Sequence, residues 1–346
     1  MKSYEIINEA ISLSRYTNVT EMLIMKCIID ALKLPTTDNE IIDEADTIED
    51  LLDVLATSFM DELLTSLPKE LKTLCNTTVL GSVKKTVMRP SKKKAVVNAT
   101  PAPTPQNTVI SVSRIRFIKL RDSVDGEALG QVISISIRFL QYCKETYQTL
   151  LTAQLPESIT LYKNDPNDVK AVLDITRSNK FASIIYNNPR MLTICATLTN
   201  ILLHEVVHVI QHLQVDRSNN KDPMVHKSYL SNKKLTNKAG QDEFYQKSVA
   251  KEFDSRWDRL YHADAREITA YAHNFVQQFI RKYDLNKGNT LPPLNVIARE
   301  IPDEVKTRFN PTNNKELKVY NRYLKTIYNE LARTYEDVPN QPRRFD

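Results

Sequence analysis

Glycine is scarce, with five residues in a chain of 346. Glycine supplies left-handed turns and lets a phosphate approach the main chain closely. So few of them disfavour nucleotide binding and favour a largely helical protein. Cysteine is scarce too. Cys27, Cys75, Cys143 and Cys195 lie far apart and form no CxxC pair, which argues against a cysteine zinc site or a dithiol redox motif. The opening residues, MKSYEIINEAISLS, have no apolar stretch of signal-peptide length. The expected setting is therefore intracellular, cytoplasmic or inside a virion, without classical secretion. One apolar run, 191–213, is long enough to span a bilayer. It is interrupted by Thr193, Thr197, Thr199, Asn200, His204, Glu205 and His208. Ionisable groups are costly at mid-bilayer, so a buried helix of a soluble protein is expected, with no membrane partner.

Net charge is +5, but it is unevenly spread. Residues 1–70 carry a net −10, residues 71–121 a net +11 with no acid at all, and the rest a net +4. The acidic part has apolar residues at helical spacing in EMLIMKCIIDALKL and IEDLLDVLATSFMDELLTSL. Thr20 before Glu21, and Thr47 with Asp50, are expected helix starts. An acidic helical domain over 1–75 follows, suited to binding a protein partner. The basic part holds Pro90, Pro101, Pro103, Pro105 and clustered lysines, the composition of an extended linker over 76–112. Its charge reads as a solvated tether, or as a patch that contacts nucleic acid or the acidic domain. Single-strand stacking is not supported, because no aromatic residue lies among the lysines between 81 and 116.

The third domain is expected over 113–346, and the fold class as mainly α with a small β-sheet, α+β. A helix is expected over about 128–153, strands at SITLYK (158–163) and FASIIYN (181–187), and a helix from about 191 to 213. A further helix is expected over about 265–282, with two more in 294–337.

Within the apolar run lies ILLHEVVHVIQHL, residues 201–213. His204 and His208 are four apart and so share a helix face, where two imidazoles can aim at one metal ion. Glu205 is about 100° round the helix, unable to share that position easily but able to take a proton from a water held there. Its apolar flanks would bury three polar side chains, which costs several kcal/mol unless something such as a metal compensates. His212 lies about 12 Å from His204 by helix rise, too far to complete the same site.

This His-Glu-x-x-His segment resembles the zincin superfamily of metallopeptidases, over residues 180–280. The resemblance implies a zincin-like catalytic domain and a Zn2+ cofactor. It also implies a protein or peptide substrate, and an edge strand, FASIIYN, beside the active-site helix. Zincins differ in the third ligand. The metzincin continuation is excluded, since Gln211 and Gln214 stand where it needs glycine and histidine. HADAREITAYAHNFVQQF, 262–279, is similar to the gluzincin helix whose glutamate completes the site. That assigns Glu267, followed by the small Ala270 and Ala272. Asp264 and Glu267 also spell a capping box, D-x-x-E. Two features depart from the family: a gap of 59 positions after His208, and Tyr271 where thermolysin-like enzymes have an aspartate. Asp264, His226 and His262 are rival third ligands, His226 in the manner of SprT-like DNA-associated proteases. His262, Tyr261 and Tyr271 are candidates for oxyanion stabilisation.

The expected function is thus zinc-dependent peptide-bond hydrolysis, with Glu205 as general base. The competing readings are a virus or phage particle protein retaining a zincin-like fold, and a DNA-associated protease.

Overall fold

The computed structural model describes residues 16–32, 45–76, 82–84, 107–109, 111–120, 124–217, 265–283, 296–297, 299 and 314–336. Within these the chain is mostly helical, with a small mixed sheet of three strands. The helices are α1 (Thr17–Ala31), α2 (Ile48–Asn76), α3 (Arg138–Thr152), α4 (Pro166–Thr176), α5 (Asn179–Asn187), α6 (Pro189–Arg217), α7 (Ala265–Tyr283) and α8 (Asn314–Glu336). The strands are β1 (Ser82–Lys84), β2 (Asn107–Val109), β3 (Arg114–Ile118), β4 (Gly126–Leu129) and β5 (Val132–Ser136). Two compact units divide the chain, one of residues 16–77 and 112–203, the other of 1–15, 78–111 and 204–346.

In the first unit α2 is the organising element. Leu51, Leu55, Phe59, Leu63, Leu67, Leu71 and Cys75 recur at helical spacing and are all buried. Thr47 starts this helix as expected. Its Oγ1 accepts from the Asp50 amide at 3.1 Å and donates to the Asp50 carboxylate at 2.7 Å. Thr20, by contrast, does not start α1. It lies inside the helix and donates to the Tyr16 carbonyl at 2.8 Å. The Phe59 ring stacks on Tyr147 of α3, with centroids 4.7 Å apart, and Tyr147 meets Phe181 of α5 edge-on at 5.7 Å. Lys144 of α3 donates to Thr57 and pairs with Asp53, both on α2. At the end of α2, Asn76 bonds both the amide and the carbonyl of Val112 at 2.8 Å, leading into the sheet.

In that sheet β5 is central, parallel to β3 and antiparallel to β4. Gly130, at φ 61°, opens the two-residue turn of the β4–β5 hairpin, where a side chain would be strained. These contacts correct the domain division. Residues 16–77 do not stand apart as an acidic domain but share one core with 112–203. At the ends of the basic segment, β1 and β2 pair antiparallel, so these residues are not plain linker. Residues 85–106 lie outside the described part.

Three local expectations are also corrected. The helix expected from 128 begins only at Arg138. VISIS carries the β-branched Val132, Ile133 and Ile135 and forms β5, while RIRFI forms β3 with an alternating burial pattern. FASIIYN is not a strand but α5. Ser178 caps it, accepting from the Phe181 amide at 3.1 Å, and the buried pair Phe181 and Ile185 are four apart. SITLYK forms turns, with Ile159 bonded back to Pro156 and Lys163 to Thr160. The Leu161 carbonyl accepts the Glu49 amide in the first turn of α2.

All four cysteines are buried free thiols. Burial, with the nearby charges of Glu70 and Asp30, pushes Cys27 up to about 11. Burial pushes Cys75 and Cys195 up to about 12 and raises Cys143 further. These thiols stay protonated at neutral pH and are neither nucleophiles nor thiolate ligands.

The second unit takes in the C-terminal part of α6 together with α7 and α8. On α7, Ala272, Phe275, Val276 and Phe279 form an apolar stripe that packs with Ile297 and with Ile327 and Leu331 of α8. Ile268 joins Val319 and Tyr323 of α8. His273 is buried and meets the Glu330 carboxylate of α8 at 3.4 Å. Tyr271 also packs against the Ile268, Val319 and Tyr323 cluster, while Glu267 and Asn274 lie on the side of α7 away from the apolar stripe.

Candidate metal centre

The site forms where the face of α6 carrying His204 and His208 meets the face of α7 carrying Glu267. The two imidazoles come from positions i and i+4 and therefore project together. Their Nε2 atoms are 3.2 Å apart. Glu267 brings its carboxylate to both, with Oε1 3.6 Å from His208 Nε2 and Oε2 3.8 Å from His204 Nε2. One ligand atom from each residue lies within 4.8 Å of the others, and all three residues belong to one compact unit.

Three explanations compete for this convergence. Hydrogen bonding accounts for the 3.2 Å contact alone, because 3.6 and 3.8 Å exceed hydrogen-bond length. Ion pairing would need protonated imidazoles. Metal ligation needs neither condition, and the observed 3.2, 3.6 and 3.8 Å lie near the ligand spacing it requires. Zinc bonds of about 2.0–2.2 Å at tetrahedral angles put neighbouring ligand atoms about 3.3–3.6 Å apart. The three residues therefore fit a metal ion, and the donor set of two imidazoles and a carboxylate is one that zinc accepts. Three protein ligands would leave a fourth position open.

Both carboxylates in this region are buried. Glu267 is 6% exposed and Glu205 is 5% exposed. A buried carboxylate is costly unless a charge or hydrogen bonds offset it. Glu205 follows His204 in α6, about 100° round the helix axis. The partly exposed side of α6 carries His204, Val207 and His208, while Glu205, Val206 and Val209 are buried.

The Glu267 carboxylate is turned to the two imidazoles, as its ligand reading requires, while Asp264, the partner of its capping-box reading, lies outside the described residues. Ala272 packs towards α8, while Ala270 is fully buried. Tyr271 comes to the site as a packing residue, its ring edge-on to His204 with centroids 5.3 Å apart. The edge-strand expectation fails with FASIIYN, which is helical. Asp264, His226, His262 and Tyr261 lie outside the described residues, as does the side chain of His212. His273 is not brought to the site.

One residue escaped sequence reasoning. The amide of Asn274 lies 3.4 Å from Nδ1 of His204, on the ring edge opposite the convergence. Its signal was helical spacing: Asn274 is seven residues, or two turns, beyond Glu267, on the same face. No family model, curated protein or solved structure matches this chain.

Proposed function

We propose that this chain is a zinc-dependent metallopeptidase of the gluzincin type, with His204, His208 and Glu267 as metal ligands and Glu205 as general base. The observation that carries the reading is the convergence of the three ligand side chains from two helices, with an acid directly after the first histidine. A bound zinc ion would supply Lewis acidity, lowering the pKa of a coordinated water and polarising a substrate carbonyl.

The rest of the chemistry falls to the chain. His204 and His208 hold their ring nitrogens on one point because α6 is a continuous helix there. Glu267 offsets part of the cation's charge in a buried setting. The Glu205 carboxylate takes the proton from water as its oxygen attacks the peptide carbonyl carbon. It then gives that proton to the amide nitrogen as the C–N bond breaks, releasing an amine and a carboxylate. Tyr271, whose ring lies edge-on to His204, is the described candidate for stabilising the developing oxyanion.

Glu205→Gln tests this reading. The amide cannot accept the water's proton, so peptide hydrolysis should fall by about 10²–10⁴-fold, with helix content and zinc affinity retained. A casein or peptide-library assay on both proteins measures it. Equal turnover in the two, or none in either, would overturn the peptidase reading.

A further inference from the structure

A neutral imidazole carries one proton, on Nδ1 or on Nε2, and only the bare nitrogen can ligate a metal. His204 directs Nε2 at His208 and Glu267, so its Nδ1 must hold the proton for Nε2 to act as a ligand. The group facing Nδ1 is the Asn274 side-chain amide, at 3.4 Å. That amide has two orientations related by a half-turn, and they have opposite consequences. With nitrogen towards His204, the amide donates to Nδ1 and places the imidazole proton on Nε2, which blocks ligation. With oxygen towards His204, the amide accepts the Nδ1 proton and leaves a lone pair on Nε2.

We propose that Asn274 is a positioning residue for the metal centre, its Oδ1 accepting the Nδ1 proton of His204 and so fixing the tautomer and ring orientation of the first ligand. Three features support it. Asn274 shares a face of α7 with Glu267 and Tyr271, so a single rigid helix supplies a ligand, a ring packed on His204 and a partner for Nδ1. The amide oxygen is buried and, among the described residues, has no hydrogen-bond partner as oriented with nitrogen towards the ring. Ligating histidines generally pass their second ring proton to such a partner. Asparagine does this without adding charge, so the cluster keeps Glu267 as its one ionised protein ligand.

This inference rests on the metal-site reading, and its test separates the two. Zinc affinity of the full-length protein is measured by chelator competition for wild type, Asn274→Ala and Asn274→Asp. The His204 tautomer in the metal-free wild type and Asn274→Ala proteins is read from imidazole 15N shifts. Wild type should bind zinc with His204 protonated on Nδ1. Asn274→Ala should bind about 10–100-fold more weakly and lose the tautomer preference, with unchanged circular dichroism. Asn274→Asp should restore affinity, since its carboxylate accepts the same proton. Zinc binding by wild type that Asn274→Ala leaves unchanged would overturn the role of Asn274 alone, as would a wild-type His204 protonated on Nε2. Failure of Asp to rescue a weakened Ala variant would assign the loss to packing and overturn the positioning role. No zinc binding by wild type would overturn both readings.

Discussion

Glu267 occupies the last position of a D-x-x-E run, and sequence allowed its carboxylate two uses: capping its own helix or crossing to another. Where it goes depends on a partner more than fifty residues away, which local pattern does not encode. His204, Glu205 and His208 were legible because their relation lies within two turns of one helix. Asn274 was not, because its significance lies in a 3.4 Å approach to a side chain seventy positions earlier. The cysteines make a different residue-scale argument. Their folded pKa values lie above the ordinary thiol value of 9.0, at about 12 for Cys75 and Cys195. Below pH 9 both folded and unfolded chains keep these protons. Above it the unfolded chain releases them first, so stability falls as pH rises towards the folded values. Urea midpoints measured from pH 8 to 10.5 should therefore decline, and should decline less in Cys75→Ala relative to its own value at pH 8. An identical slope in the two would show that the Cys75 thiol is not buried in the protonated form.

At the scale of elements, the long helices were readable and the short elements were not. α2 and α6 carry enough turns for the 3.6-residue period to stand out. FASIIYN has strand-forming residues, yet Ser178 caps it and only Phe181 and Ile185 reach the core, a four-residue spacing that nine residues barely display. VISIS was absorbed into a neighbouring helix because its apolar residues run on into those of α3. The Ser178 hydroxyl also donates to the Ile175 carbonyl at 2.8 Å, joining α4 to α5. Ser178→Ala should cost about 0.5–2 kcal/mol by urea denaturation. The exposed Ser183→Ala, in the same helix, should stay within about 0.5 kcal/mol. Equal effects would show that Ser178 does not cap α5.

At the scale of the molecule, charge was a poor guide to architecture. The switch from acidic to basic composition suggested a boundary near residue 75, but α2 packs against α3 and β3 from beyond it. Core contacts are set by apolar faces, and the acidic residues of 45–76 occupy the outward sides of α2. The basic stretch around Lys84–Lys94 offers many trypsin sites. If it is cut first, the halves should still elute together on native size exclusion, because residues 16–77 and 112–203 form one unit. They should separate only in denaturant. Separation under native conditions would restore the two-domain division and contradict the shared core.

The central claim is that three side chains from α6 and α7 hold one metal ion. Zinc-edge X-ray absorption on the purified protein, with zinc content measured on the same sample, tests it most directly. The account predicts one zinc per chain, with a first shell of nitrogen and oxygen at about 2.0–2.2 Å and outer scattering from two imidazoles. A shell containing sulfur, scattering from three imidazoles, or no zinc retained after loading would contradict it.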